Sequence, residues 1–441
     1  MIAPTDPARQ LCEQALESPA ARQPDWLQEI PSRAVQRLQA TKLPERADEA
    51  WRYTSLEPIL RHGFRPAAPG PELDFEALGT LLLSDSKDCH LLVLVDGRFA
   101  PGLSRLHPDA GLQALGLARA LAENSAPGLD RLGSLLGEDA HYFTLMNSAA
   151  PAEGVYLRVA AGARLERPIE LLHIGGNGVP APMAQPRQLI LVEEGAKACI
   201  RERFVSLGEG GGFHNGVTEL FLGANAELRH ERLQQEGSEA LHLHALHLHQ
   251  DRDSRYRGSS LALGAAWSRA ELNVSFGAPG ADCQLDGLYL AGDGQLTDFH
   301  LDIDHRVPHC SSRERFKGII DGRGRAVFDG RILVRPEAQK SDAQLSNHNL
   351  MLSEQAEVDS KPQLEIYADD VQCSHGTSVG QLDPEQLFYL QSRGLGAAQA
   401  RQMLCLGFAV EVIEALTDST LSEHALSLLQ RRLGGPEGSE S

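Results

Sequence analysis

The 441-residue sequence predicts a mainly β chain organised around a β-solenoid and flanked by helical segments. From about residue 150 to 382 helical periodicity nearly vanishes, and short alternating stretches recur, such as Val155-Tyr156-Leu157-Arg158-Val159, Gln188-Leu189-Ile190-Leu191-Val192 and Ala326-Val327-Phe328. Gly-centred turns separate them. A small-residue corner also repeats, at Gly162-Ala163, Gly195-Ala196, Gly223-Ala224 and Gly264-Ala265, with successive spacings of 33, 28 and 41 residues. That irregularity excludes a propeller blade or a leucine-rich repeat and suits a solenoid whose coils differ in length. A β-sandwich is the competing architecture, but the strand-rich stretch is long for one sandwich.

The flanks read as helical. Residues 8–16 and 31–40 carry apolar side chains at three- and four-residue spacing, punctuated by prolines. The run Leu91-Leu92-Val93-Leu94-Val95-Asp96-Gly97 reads as a strand ending in a turn. Asp48-Glu49-Ala50-Trp51-Arg52-Tyr53-Thr54 mixes acid, aromatics and Arg, as at a helix end pinned by a buried Trp. At the far boundary Asp383 is placed to cap a helix, Pro384 suits its first position, and Gln386 can complete a capping box. This helix should stop near Gly394, after Arg393, with two more over 397–416 and 419–432. The expected divisions are a mostly helical domain (1–125), a solenoid core (126–382), a C-terminal helical domain (383–433) and a disordered tail (434–441).

The formal net charge of −19 argues against nucleic acid and against an anionic membrane as partners. No stretch approaches the ~20 uninterrupted apolar residues of a membrane span. The polar N-terminus lacks signal-peptide regions, so the expected location is the cytoplasm. The seven cysteines are scattered and form no CxxC pair, which argues against a disulfide framework and against a closed four-ligand zinc site. There is no GxxxxGK[ST] sequence, no GxGxxG after a strand and no GxSxG elbow, and only six lysines, so the chain should bind no nucleotide itself.

Three clusters offer metal ligands. In Leu241-His242-Leu243-His244-Ala245-Leu246-His247-Leu248-His249, strand geometry puts His242 and His244 on one face and His247 and His249 on the other. All four converge only if a bulge falls near Ala245; otherwise the run is a polar outer strand surface. His300, Asp302, His305, His309 and Cys310 form a second group, with His305 facing away from His300, Asp302 and Asp304. In Asp369-Asp370-Val371-Gln372-Cys373-Ser374-His375-Gly376, Cys373 and His375 are two apart and share a strand face. A thiolate and an imidazole suit iron or zinc, but two ligands cannot close a tetrahedral or cluster site.

Several motifs resemble the SufB/SufD family of iron–sulfur cluster assembly proteins. They are Arg315-Phe316-Lys317-Gly318, Gly324-Arg325-Ala326-Val327-Phe328-Asp329-Gly330, the stretch from Val358-Asp359-Ser360-Lys361-Pro362 through Ala368-Asp369-Asp370-Val371, and Phe388-Tyr389-Leu390-Gln391-Ser392-Arg393-Gly394. Upstream, Glu49-Ala50-Trp51-Arg52-Tyr53-Thr54 fits the same family. The likeness is dense from about 313 to 410 and sparse before. Cys373-Ser374-His375-Gly376 is most similar to the SufD branch, with Thr377-Ser378 a small departure after the Gly.

The resemblance implies a right-handed parallel β-helix between helical domains. It implies a non-catalytic scaffold in a complex with SufB and two copies of the ATPase SufC, the latter docking on the C-terminal helices; Pro384, Phe388, Tyr389 and Arg393 are the candidate contacts. It further implies that His375, and less directly Cys373, face a transient iron–sulfur cluster shared with SufB. Flavin association and a homodimer formed without SufB stay open. Two rival readings are a β-helical carbohydrate-active enzyme, for which Asp369-Asp370 is a poorly spaced carboxylate pair, and a stand-alone metal or redox sensor built on the His-rich strand.

Overall fold

Segments that follow one another in the chain pair alternately into two parallel sheets, so each coil contributes one strand to each. The computed structural model describes residues 29–434 apart from 63, 68–72, 74, 125, 139, 150–152, 177–181 and 209–210. The predicted helix at 8–16, Cys12 and the tail beyond Gly434 lie outside the described residues. The first sheet stacks Gly154–Val159, Arg187–Val192, Phe213–Leu222, Leu241–Gln250, Trp267–Phe276, Leu296–His305, Arg325–Val334 and Glu357–Ile366. The second stacks His90–Val95, Ile169–Gly175, Lys197–Ser206, Glu227–Gln234, Arg255–Ala262, Asp282–Ala291, Ser311–Ile320, Asp342–Met351 and Gln372–Gly380. The result is a solenoid of about eight turns with helices at both ends of the chain. Register gives coils from 26 residues (Leu241 to Trp267) to 33 (Gly154 to Arg187), the unequal lengths expected from the sequence.

The corners explain how coils of different length stay in register. Gly162, Gly195, Asn225, Asp253, Gly280, His309 and Lys340 all have positive φ, between 55° and 82°, at the same edge. This is the left-handed turn that Gly, Asn and Asp adopt most cheaply. Six of these residues, all but Gly280, donate the backbone N–H to a carbonyl of the next coil, as Gly195 does to Ala224 at 2.8 Å and His309 to Gln339 at 3.0 Å. Gly264 does not belong to this column. It lies at the opposite edge, between Arg255–Ala262 and Trp267–Phe276, which accounts for the outlying spacing of 41. Glycine is required there because a Cβ would lie 2.5 Å from the Glu236 carbonyl oxygen.

Inside, aliphatic side chains stack coil on coil. Ile190, Leu220, Leu248, Val274, Ile303 and Ile332 occupy one register position, and all are buried in one core. Each contributes about 1.5–3 kcal/mol relative to exposure. Phe299, Phe316 and Phe328 form a ladder with 5.2 Å between successive ring centroids. Outside, both sheets are covered in part. The helices Ala397–Ile413 and Ser419–Leu433 set Cys405, Ala409, Val412, Leu421 and Leu429 against Leu261, Leu288 and Ile319 of the second sheet. Glu29–Ala40 and Tyr142–Ala149 cover Leu241, Leu243 and Trp267 of the first. Among the described residues no helix is long and apolar enough to cross a membrane.

The N-terminal motif is a latch on the first sheet. Trp51 is buried, with the Arg269 guanidinium 3.9 Å from its ring centroid. Arg269 is itself buried between Glu271 (2.7 Å) and Asp298 (2.8 Å), and Thr54 donates to Asp298 at 2.5 Å. Arg269→Ala would leave two buried carboxylates short of their cation. It should cost about 3–5 kcal/mol in urea-induced unfolding, whereas loss of under 1 kcal/mol would mean the latch contributes little to stability.

Candidate functional site

The two ends of the solenoid are finished differently. At the N-terminal end the first strands are covered: Leu112–Gly116 runs antiparallel along Gly154–Val159, and Arg98–Phe99 along Leu94–Val95. At the other end Glu357–Ile366 and Gln372–Gly380 each pair on one side only. Their residues are almost all partly or fully exposed, and Ile366, Tyr367 and Val379 are 41%, 61% and 51% exposed. Two unpaired parallel edges with apolar side chains are a template for another chain.

Cys373 and His375 lie on that last strand. Their register partners are Ala343 and Leu345, both buried in the core. Both therefore occupy inward positions, and only the absence of a further coil leaves His375 exposed and Cys373 half-buried. Burial pushes the Cys373 thiol up, so a metal binding there has to displace a proton. Thr377, at the next inward position, lies 3.0 Å from Ser360 across the two sheets, and Ser360 donates to Asn347 at 2.9 Å. Asn347 and Asn349 both bond the Tyr289 hydroxyl, at 2.8 and 2.6 Å. A polar floor thus underlies the open end. Among the described residues, the group of three or more donors spaced to hold one ion lies elsewhere and includes neither Cys373 nor His375.

Two coils before His375 in the same register column, Glu314 stands between Leu285 and Leu345. It is fully buried, and neither oxygen reaches a partner in hydrogen-bonding geometry. Burial raises its carboxyl to about 8, with Ser312 and Arg313 opposing.

The motif residues hold the C-terminal helices to this end. Arg315 and Lys317 point outward to Glu411, at 3.2 and 2.6 Å, while Phe316 fills the interior. Gly318 leaves space that the Tyr289 ring takes, 2.1 Å from where a Cβ would stand. The helix Pro384–Ser392 begins as expected, with Asp383 accepting from the Glu385 N–H at 2.9 Å and Pro384 in the first turn. It buries none of its side chains: Phe388 is 72% and Tyr389 57% exposed, and Arg393 lies over the Tyr389 ring.

The other clusters resolve differently from expectation. The His-rich strand has no bulge at Ala245, since its register is continuous with both neighbours. His242 and His244 are not on a polar outer surface. They point into the solenoid and are buried, while His247 and His249 face outward. The reason is that Leu241 and Leu243, which alternate with them, are the residues buried on the outer face, under the covering N-terminal helices. His300, Asp302, His305 and Cys310 do not converge. His300 pairs with Asp298, Asp302 with Arg331 and Asp304 with Arg335, while His305 bonds Ser312 in the interior. Asp370 is paired with Lys340. Sequence reading missed His214 and Glu236, which lie beside His242. The signal was available for His214, which precedes His242 by one 28-residue coil. Burial, then the neighbouring imidazoles, holds His214 well below the usual histidine range.

Comparison with known proteins places these features in a family. The profile of the SUF-system FeS cluster assembly SufBD core domain matches residues 174–408. The iron–sulfur cluster assembly protein SufD of Escherichia coli is 34% identical over 403 residues, 91% of this chain and 92% of that one. A SufBD family protein of Synechocystis is 31% identical over 399 residues (88% and 87%), and the chloroplastic protein ABCI7 of Arabidopsis thaliana 30% identical over 420 residues (92% and 86%).

Glu314 supplies a pH test of the interior. A carboxyl raised in the folded state stabilises the fold only while protonated, below its unfolded value near 4.3, and loses that contribution as pH rises toward about 8. Glu314→Gln should remove this dependence. The variant's melting temperature should gain on the parent's from pH 5 to pH 8, and parallel profiles would place Glu314 in contact with water.

Proposed function

The chain belongs to the SufB/SufD family of iron–sulfur cluster assembly proteins, and from that premise we propose that it is the SufD-type scaffold subunit of a SufBCD complex, itself non-catalytic. The observation that carries this reading is the uncapped last coil, with Cys373 and His375 on inward-facing positions. A related solenoid offering its own open end would complete the strand pairing and turn these side chains from exposed to enclosed. The cluster is the cargo of this interface. His375 supplies an imidazole, Cys373 a thiolate after loss of its proton, and SufB the remaining ligands.

The exposed helix Pro384–Ser392 is the proposed dock for the SufC ATPase, through Pro384, Phe388, Tyr389 and Arg393. Large exposed aromatics beside an Arg are the composition of an interface anchor. Movement of this helix reaches the last coils through the C-terminal helices, whose Glu411 is paired with Arg315 and Lys317. In this reading the protein acts in the cytoplasm, and ATP is bound by SufC.

Co-expression with SufB and SufC tests each part separately. His375→Ala should leave the complex intact by size-exclusion chromatography while lowering the iron and sulfide recovered per complex; an unchanged yield removes His375 from the site. Tyr367→Asp combined with Val379→Asp should separate this chain from SufB. Phe388→Asp with Tyr389→Asp should release SufC and leave SufB bound, and retention of SufC would move the dock elsewhere.

A further inference from the structure

The early coils are filled differently from the later ones. Where aliphatic side chains stack in most of the solenoid, buried His173, His214, His230, His242 and His244 stand in the coils between Ile169 and Gln250. His214 and His242 share a register position one coil apart, and their rings are parallel within 5° at a centroid distance of 4.8 Å. Glu236, also buried, follows the strand Glu227–Gln234 and brings Oε2 to 2.8 Å from His242 Nδ1. The approach lacks hydrogen-bond geometry, so Nδ1 of a side chain that is 3% exposed has no hydrogen-bond partner. One donor atom from each of His214, Glu236 and His242 falls within 4.8 Å of the others.

The surrounding hydrogen bonds orient this set. Gln188 donates its amide N–H to Glu202, so its carbonyl oxygen accepts from Thr218 at 3.1 Å. The Thr218 hydroxyl oxygen is then the acceptor for His244 Nε2 at 2.9 Å, which leaves His244 Nδ1 as an acceptor. His214 Nε2, 3.3 Å away, donates to it. The proton of His214 thus sits on Nε2, and Nδ1 keeps its lone pair. Gln234 fixes the carboxylate by donating to Glu236 Oε2 at 3.0 Å.

We propose that His214, Glu236 and His242 bind one divalent first-row transition-metal ion inside the solenoid. Two imidazoles and a carboxylate are the donor set of zinc and iron(II) sites that keep a position open for water or another ligand. His244 holds the His214 ring from its far side, and Gln234 holds the Glu236 carboxylate at the oxygen that approaches His242; such outer contacts orient ligands in a built metal site. A partly enclosed pocket of about 30 Å³, lined by Asp96, His173, Ser206, His214 and Glu236, adjoins the set. That is room for a water on the open position. The site is independent of Cys373 and His375. Its register position lies four coils inside the last strand of the first sheet, roughly 19 Å at about 4.8 Å per coil.

The test uses the full chain carrying Cys373→Ser and His375→Ala, so that the open end cannot contribute, stripped of metal with a chelator. Anaerobic titration with cobalt(II), followed by its visible d–d bands, should show one equivalent bound, displaced by one equivalent of zinc(II). A parallel titration with iron(II) competing against cobalt(II) ranks the two biological ions. Glu236→Gln and His242→Asn should each weaken cobalt binding by roughly 10- to 100-fold or more, with the far-ultraviolet circular dichroism of the parent. Glu236→Gln is nearly isosteric and carries the test if His242→Asn fails to fold. No saturable uptake by the parent, or equal uptake by Glu236→Gln, overturns the proposal.

Discussion

Every strand in a parallel solenoid needs a neighbour on each side, and this constraint organises the molecule from one end to the other. Backbone N–H and C=O groups that face no partner are costly when buried and adhesive when exposed. Coil after coil supplies the partner, and six of the seven left-handed corner residues pass a hydrogen bond from one turn to the next. Antiparallel segments close the beginning, at Leu112–Gly116 and Arg98–Phe99. Nothing among the described residues closes the end. Interior side chains of the final coil are consequently left at a surface, which is how a cysteine and a histidine come to face outward without a strained loop or a dedicated pocket.

The helices on the outer faces fix the solenoid rather than extend it. Arg201, fully buried, reaches Glu170 in the neighbouring coil, Asp85 before the first strand and Asp418 at the start of the last helix, at 3.0, 3.1 and 2.9 Å. Asp418 also caps that helix by accepting from the Leu421 N–H. One guanidinium thus ties the N-terminal segment, the core and the C-terminal helices. On the other sheet the Trp51–Arg269 contact ties the N-terminal segment to the core, and Glu49 extends it to Lys361 in the last coil. A displacement of the C-terminal helices would be felt in the sheets they grip.

Much of this was legible in the sequence, and the failures have physical causes. Gly-centred corners and short alternating runs disclosed a solenoid because left-handed turns and period-two alternation leave local marks. The shared face of Cys373 and His375 followed from strand geometry alone. The fourth corner at Gly264 was misplaced because glycine is needed at both edges for different reasons, positive φ at one and close backbone approach at the other. His242 and His244 were read as an outer surface because alternation separates two faces without saying which is inside. Here Leu241 and Leu243 are buried outside the solenoid under helices, and the histidines fill the interior. Glu236 left no mark at all, since its approach to His242 depends on how a turn packs across coils.

The central claim is that the open final coil is an interface. Amide hydrogen exchange in residues 357–380, compared between the free chain and its complex with a SufB partner, addresses it directly. Exchange should be fast in the free chain along the unpaired edges of Glu357–Ile366 and Gln372–Gly380, and markedly slower in the complex. Unchanged exchange there, with protection appearing on another face, would contradict it.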